Sequence, residues 1–175
     1  MITIRLANSA DAQSIAALMD LAIAQLQRGF LTAEQIAASR AGMGLDLQLI
    51  EDGTYFCVEE DGELIGCGGW SRRATLYGGN HSAGRDPRLL DPATERARIR
   101  AMYTHPAHTR KGVGRQILDT AEAAARAEGF KELEMAATMS GKPLYLASGY
   151  AVESEWFDEN GAVPVPLATM WKRLD

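Results

Sequence analysis

The sequence is poor in the features that mark secreted, membrane-spanning or disulfide-bonded proteins. It contains only two cysteines, Cys57 and Cys67, in 175 residues. No segment approaches the ~20 consecutive apolar residues that a membrane-spanning helix needs. The first residues also lack the basic stretch and apolar run that are typical of a signal peptide. We therefore expect a cytoplasmic protein with no membrane partner.

The two cysteines are not expected to form a disulfide. Residues 60–63, Glu-Asp-Gly-Glu, have the sequence of a two-residue hairpin turn. Pairing the two glutamates would place Cys57 opposite Gly66 and would turn Cys67 to the other face of the sheet. No group of Cys and His residues has the spacing of metal ligands. The sequence thus predicts neither a disulfide nor a metal site.

Positively charged residues are also fewer than negatively charged ones. The chain has 18 Lys and Arg residues against 23 Asp and Glu residues, a net charge of −5. A protein that binds the phosphate backbone of nucleic acid needs a cationic surface, so this composition disfavours a general nucleic-acid binder. The length suits one domain that spans residues 1–175.

Hydrophobic periodicity predicts strands and helices in alternation. The predicted strands are Ile2–Ala7, Thr54–Glu60, Glu63–Ser71, Ala97–Thr104, Glu132–Thr138, Tyr150–Glu155 and Pro164–Arg173. The predicted helices are one with apolar residues at helical spacing from residue 15 to residue 26, Ala33–Ala41, Gly112–Glu128 and Pro143–Ser148. This order is typical of an α/β layer architecture. Between the third and fourth strands, Arg72–Pro92 predicts a long irregular loop, of a length that is often functional.

The most informative segment lies between the fourth strand and the next helix. Gly112 and Gly114 open that helix, where the first main-chain amides have no acceptor within the helix and the helix dipole places partial positive charge. Without side chains, both glycines let phosphate oxygens come close to the main chain. The window Arg96–Arg115 also contains six cationic residues and no Asp or Glu. It predicts a phosphate site, with a solvated run of charge as the alternative.

Two common phosphate motifs do not fit this segment. The pattern GxxxxGK[ST] is absent, and the fingerprint GxGxxG fails because Ile117 stands in place of the third glycine. Residues 109–114, Thr-Arg-Lys-Gly-Val-Gly, instead resemble the cofactor motif Q/R-x-x-G-x-G/A of the GNAT superfamily of N-acetyltransferases. Both glycines match, whereas Thr109 replaces the usual Gln or Arg. Residues 143–150 are similar to the family's late segment, in which a hydrophobic-Tyr pair is followed by Gly-Phe.

The resemblance covers nearly the whole chain. It implies an α/β fold of the α+β type, with a splayed, mixed and mostly antiparallel seven-stranded sheet flanked by helices. It also implies acetyl-CoA as co-substrate between the fourth and fifth strands, without a metal. The implied cofactor-binding residues are Met102, Tyr103, Thr104, Thr109, Arg110, Lys111, Gly112, Val113, Gly114 and Arg115. The first three would follow the pantetheine and acetyl group, and the loop amides would hold the pyrophosphate.

The resemblance further implies direct transfer of acetyl to a primary amine of a small molecule or peptide. Tyr145 stands at the position of the family's general acid and would protonate the leaving thiolate, as a phenol with a pKa near 10 can. The backbone N–H of Met102 or Tyr103 would hold the carbonyl oxygen. Trp70 and Tyr77 are the expected acceptor-side residues.

Several points stay open at the level of sequence. The general base is one of Glu34, His81, Glu95 and His105, or a chain of water molecules. A non-catalytic acetyl-CoA-binding or sensing module of the same fold is the main alternative to an enzyme. A regulatory nucleic-acid-binding domain that uses the Arg96–Arg115 strip is a third hypothesis, which the overall acidity disfavours. No motif identifies the amine, and the resemblance leaves a homodimer as an option.

Overall fold

Seven strands form one sheet in the computed structural model, which describes residues 1–175. The strands are β1 (Ile2–Leu6), β2 (Tyr55–Glu60), β3 (Glu63–Ser71), β4 (Ala97–Thr104), β5 (Glu132–Thr138), β6 (Ala151–Asp158) and β7 (Val165–Arg173). Their order across the sheet is β1-β2-β3-β4-β5-β7-β6, and all neighbours are antiparallel except β4 and β5. The mixed, mostly antiparallel seven-stranded sheet is therefore confirmed.

Five helices accompany the sheet, and none of them is both long enough and apolar enough to cross a membrane. They are α1 (Ala12–Leu26), α2 (Ala33–Ser39), α3 (Leu47–Glu51), α4 (Val113–Ala127) and α5 (Lys142–Ala147). The sequence predicts all of them except α3, whose five residues are too few to show a helical period. This helix begins where the Asp46 side chain accepts a hydrogen bond from the Gln48 N–H at 3.0 Å.

Helices α1 and α4 pack on opposite faces of β3. Cys67 belongs to the hydrophobic cluster of α1, whereas its neighbour Gly66 faces α4. A β-carbon at Gly66 would lie 2.4 Å from Val113 Cγ1, and one at Gly68 would lie 2.9 Å from Ile117 Cγ2. These glycines therefore let α4 lie close against the sheet, with its first turn beside the end of β4.

The β2–β3 hairpin corrects one prediction. Cys57 lies opposite Cys67 rather than Gly66, because Ile65 is an extra residue between the pairs Val58–Gly66 and Glu59–Leu64. Such a β-bulge moves the register by one residue, and the alternation of side chains in the sequence does not reveal it. Both cysteines are free thiols in the core, at 0% exposure.

Strands β4 and β5 pair over only two positions, Ala97 with Leu133 and Arg98 with Glu134. Beyond these positions the two strands diverge. Strand β4 also carries a bulge, since Ala101 has a φ of +51° and the register against β3 shifts at this point. The expected splay of the sheet is present, and it opens a cleft between the two strands.

Candidate functional site

A cleft of about 610 Å³ opens where β4 and β5 diverge. One end of it, called the α4 end below, is lined within residues 108–115, the loop before α4 and the first turn of that helix. The other end, called the α1 end, is lined by residues 22, 23, 26, 27, 30, 43, 44 and 76–78. The middle is lined by β4 and by the start of α5, so one continuous space connects both ends.

The α4 end is built mainly from main-chain groups. Gly112 precedes the helix in a left-handed conformation with a φ of +82°, and no side chain caps the helix. The first main-chain bond of the helix runs from the Gln116 N–H to the Gly112 carbonyl at 3.0 Å. The amides of residues 113–115 therefore have no acceptor within the helix. A β-carbon at Gly112 would meet no atom within 4 Å, so an anion has room there.

The cationic strip is divided by the fold. Arg96 donates to Glu132 at 2.9 Å, Arg98 pairs with Glu134, and Arg100 donates to Asp46 at 3.0 Å. These three arginines, which lie in β4 or directly before it, are thus neutralised within the protein. Arg115 makes an exposed pair with Asp119, and only Arg110 and Lys111 of the six make no ion pair. The positive charge of this strip that has no ion-pair partner is therefore confined to the loop itself.

The edge of β4 that faces the cleft has main-chain groups without partners in the sheet. The His105 N–H donates to the Ile65 carbonyl at 2.8 Å, and Tyr103 pairs with Cys67. Because neighbouring residues of a strand turn their polar groups to opposite sides, Thr104 and Met102 turn theirs away from β3. With β5 paired only to Ala97 and Arg98, these groups face the cleft.

Tyr145 of α5 lines the middle of the cleft and is 7% exposed. Its ring packs against Gly141, where a β-carbon would lie 2.9 Å from Tyr145 Cε2, and edge-on against Tyr150. Burial raises the pKa of Tyr145 above its ordinary value, without a contribution from any hydrogen bond. Its hydroxyl is therefore protonated at neutral pH and free to donate into the cleft.

The two expected acceptor-side aromatic residues lie in different places. Tyr77 lines the α1 end, and burial, followed by the charge of Asp158, raises its pKa. Trp70 is 1% exposed in the core, edge-on to Phe130 at 5.9 Å, and does not line the cleft. Only Tyr77 of this pair reaches the site. The sequence could not separate them because aromatic residues suit both a core and a pocket.

The loop between β3 and β4 is held in place by a buried ion cluster. Asp46 accepts hydrogen bonds from Arg85 at 2.8 and 3.0 Å and from Arg100 at 3.0 Å, and Arg100 also donates to the Gly78 carbonyl. Burial alone would raise the pKa of Asp46, but the Arg85 hydrogen bond and the charge of Arg100 outweigh it and lower the pKa. This cluster fixes Tyr77 beside the cleft.

The four candidate bases do not line the cleft. Glu34 is exposed on α2, and Glu95 pairs with Arg88 at the surface. The Nε2 atom of His81 lies 2.9 Å from the Arg40 carbonyl, and Nδ1 of His105 accepts from the Ala107 N–H at 3.0 Å.

One further histidine, which the sequence analysis does not single out, does line the cleft. His108 lies at the α4 end, with its Nδ1 atom 3.3 Å from Glu60 Oε2. Its position beside the predicted phosphate loop could have indicated it, because an imidazole N–H can donate a hydrogen bond to an anionic ligand.

The sequence matches the model of the acetyltransferase (GNAT) family over residues 15–150. This span contains every residue that lines the cleft. No protein in the set of curated sequences matches the chain.

Several solved structures share the fold over nearly the whole chain. A GCN5-related N-acetyltransferase from Rhodopseudomonas palustris is 20% identical with a TM-score of 0.72, over 98% of this chain and 95% of that one. The PaiA N-acetyltransferase from Thermoplasma acidophilum, in complex with coenzyme A, is 16% identical with a TM-score of 0.68, over 99% of both chains. The yncA protein from Salmonella typhimurium, with its cofactor acetyl-CoA, is 22% identical with a TM-score of 0.69, over 100% of this chain and 95% of that one. At these identities the likeness establishes the fold.

Proposed function

Because the chain belongs to the acetyltransferase (GNAT) family, we propose that it transfers acetyl directly from acetyl-CoA to a primary amine of a small molecule or peptide. The observation that carries the proposal is the α4 end of the cleft. There, free helix amides follow a left-handed glycine at the mouth of a slot between two diverging strands. This arrangement suits a ligand that joins a diphosphate to a long flexible arm.

The residues at the α4 end fit the pyrophosphate of acetyl-CoA. Thr109 supplies no cation, and its hydroxyl lies 3.5 Å from the Pro106 carbonyl. We assign the phosphate contacts to the amides from Gly112 to Arg115. Arg110 and Lys111 add charge, because they alone of the six cations in the window Arg96–Arg115 have no ion-pair partner. A helix start and nearby cations are the usual means of holding phosphate.

The exposed edge of β4 fits the arm of the same ligand. Met102 and Thr104 turn main-chain groups into the cleft, and Tyr103 lies between them in the cleft wall. An extended chain with amide groups can pair with such an edge as a strand does. We therefore assign Met102, Tyr103 and Thr104 to the pantetheine arm and the acetyl group.

Acetyl-CoA supplies an acetyl group activated by its bond to sulfur. We assign the proton for the leaving sulfur to the Tyr145 hydroxyl, which has no competing partner and stays protonated at neutral pH. The Met102 N–H would donate to the carbonyl oxygen as that oxygen gains negative charge. Apolar side chains in the middle of the cleft, such as Ile99 and Leu144, exclude water from the reacting atoms.

A non-catalytic acetyl-CoA-binding module is the second candidate, and the feature in its favour is Thr109, which departs from the motif. The Tyr145 hydroxyl, free within the cleft, favours the enzyme. The two candidates agree on acetyl-CoA binding and differ on thiol release.

The test has two parts. Saturating acetyl-CoA, at about a hundred times its Kd, should raise Tm by about 5–10 °C. Tyr145→Phe should lower amine-dependent thiol release by about a hundredfold or more, with the Kd for acetyl-CoA unchanged. Tyr150→Phe is the matched control, because its buried hydroxyl has no partner and lies outside the cleft. Absence of a Tm shift contradicts the cofactor assignment, and binding without thiol release from any amine supports the module.

A further inference from the structure

The walls of the α1 end are mostly apolar and carry no negatively charged side chain. The apolar side chains are Ala22, Ile23, Leu26, Phe30, Met43 and Leu76. The one charged side chain beside them is Arg100, and neither Asp nor Glu lines any part of the cleft. An acceptor that enters this end therefore meets hydrocarbon and positive charge.

Arg85 and Arg100 carry more positive charge than Asp46, the one carboxylate that pairs with them. The Arg100 side chain is 2% exposed, and its ion-pair partner is Asp46. Asp46 is shared with Arg85, so one carboxylate serves two guanidinium groups. A second ammonium on the acceptor would be brought next to this surplus in a region of low dielectric, where like charges repel strongly.

One carboxylate does lie behind the wall of the α1 end, at Tyr77. The Tyr77 hydroxyl and Asp158 Oδ2 are both buried without a hydrogen-bond partner. Both pack on Gly42, where a β-carbon would lie 3.0 Å from Tyr77 Cζ and 2.9 Å from Asp158 Oδ2. The other oxygen, Asp158 Oδ1, is held by Asn160. Unpaired buried polar groups are costly, and a positive charge next to this wall would lower that cost.

We propose that the acceptor carries a single positive charge on an apolar body, and that Tyr77 receives its ammonium with Asp158 behind it. This inference rests on the proposed transfer to an amine and adds the class of amine. Alkyl and aralkyl monoamines fit the site. Polyamines and aminoglycosides do not, because their further ammonium groups would be buried without a carboxylate.

The transfer balances in protons. The ammonium of the acceptor loses one proton to water, which leaves a neutral nitrogen. The N–C bond then forms as the C–S bond breaks, and sulfur takes the Tyr145 proton. The second proton of the nitrogen returns to Tyr145, so the products are an amide and a thiol.

The inference is tested with n-heptylamine and 1,6-diaminohexane, which have the same length and differ in a terminal methyl or ammonium group. We expect kcat/KM for heptylamine to exceed that for the diamine by at least about a hundredfold. Equal or better use of the diamine overturns this inference and leaves the transferase function standing. Thiol release from no amine, in a protein that acetyl-CoA still stabilises, overturns the transferase function and this inference with it.

A carboxylate introduced at the α1 end tests whether charge is the reason that the diamine is a poor substrate. Leu76→Glu should lower the ratio of kcat/KM for heptylamine to kcat/KM for the diamine at least about tenfold relative to Leu76→Gln. Phe30, which is 52% exposed at the α1 end, offers the same pair of substitutions without disturbing the core. Ratios that are equal in the Glu and Gln variants at both positions overturn the inference.

Asp158 acts through Tyr77 and is therefore tested as a positioning residue. Asp158→Asn should raise KM for heptylamine about tenfold while KM for acetyl-CoA stays unchanged. A purely structural role would change both constants or neither, and either result overturns the assignment of Asp158.

Discussion

The two ends of the cleft are built from different parts of the polypeptide. The α4 end presents main-chain amides from one short run, residues 112–115, whereas the α1 end presents side chains from distant segments, such as Ile23, Met43 and Tyr77. Main-chain amides exist whatever the sequence, provided that residues such as Gly112 allow the geometry. One end of the cleft thus depends on backbone conformation and the other on side-chain identity.

The two ends also differ in what supports them. Glycines of β3 let α4 pack closely and so fix the α4 end through apolar contact. The loop that carries Tyr77 depends instead on the buried cluster of Asp46, Arg85 and Arg100. Substitutions should therefore damage one end and spare the other.

The largest effect is expected at the support of the α1 end. Asp46→Asn would leave Arg100 buried without its charged partner, and we expect the free energy of unfolding to fall by about 3–5 kcal/mol. Urea denaturation measures this loss. Asp20→Asn, which breaks only the exposed pair with Arg40, should cost under about 1 kcal/mol. If the folded Asp46 variant also lost affinity for acetyl-CoA, the two ends would not be independent.

The pH dependence of Asp46 has a defined sign. Its pKa in the folded protein lies below the ordinary value of 3.8, so its stabilisation is complete above that value and is lost as the pH falls through the folded pKa. Below pH 3.8 the wild type should therefore lose stability more steeply than Asp46→Asn. If the free energies of unfolding of the two proteins changed in parallel with pH, the proposed contribution of the Asp46 charge to stability would be contradicted.

A smaller effect is expected at the backbone of the α4 end. Gly112→Ala forces a β-carbon onto a left-handed residue, so the free energy of unfolding should fall by about 1–2 kcal/mol, and the affinity for acetyl-CoA should fall about tenfold as the loop shifts. Gly129→Ala is the matched control, since Gly129 has a φ of +93° after the other end of α4. Gly129→Ala should lower the free energy of unfolding but leave the affinity for acetyl-CoA, measured by calorimetric titration, unchanged. Equal losses of affinity would mean that backbone geometry at Gly112 has no special role.

The smallest effect is expected from the loop cations. Arg110→Gln and Lys111→Gln should each weaken acetyl-CoA binding about threefold, and the difference should shrink in high salt because exposed charges are screened. Arg126→Gln, an exposed cation in the last turn of α4, should leave the affinity unchanged. A loss that salt does not reduce would indicate a contact other than charge.

Features set by local sequence could be predicted. The capping box of Thr32 and Gln35 predicts the start of α2, and both of its hydrogen bonds are present. The glycines at 112 and 114 predict a helix start with free amides, and α4 begins at Val113. Caps and turns depend on residues three or four apart, so the sequence contains the whole of the information.

Features set by contacts between distant residues could not be predicted. The extra residue Ile65 changes the residue that pairs with Cys57. The alternation of apolar and polar residues in the sequence does not reveal a single inserted residue. The neutralisation of Arg100 by Asp46 joins residues 54 positions apart, so the cationic strip looked continuous in the sequence. The side chains of Tyr77 and Asp158 both pack on Gly42 only because the β6–β7 hairpin returns to this residue.

The divergence of β4 from β5 creates a sheet edge in the interior of the molecule. Edges at the rim of a sheet invite pairing with other chains and are a common source of aggregation. This edge lines a cleft of about 610 Å³ and does not lie at the rim of the sheet. The protein thus keeps an unpaired strand edge away from the surface at which a strand of another chain could pair with it.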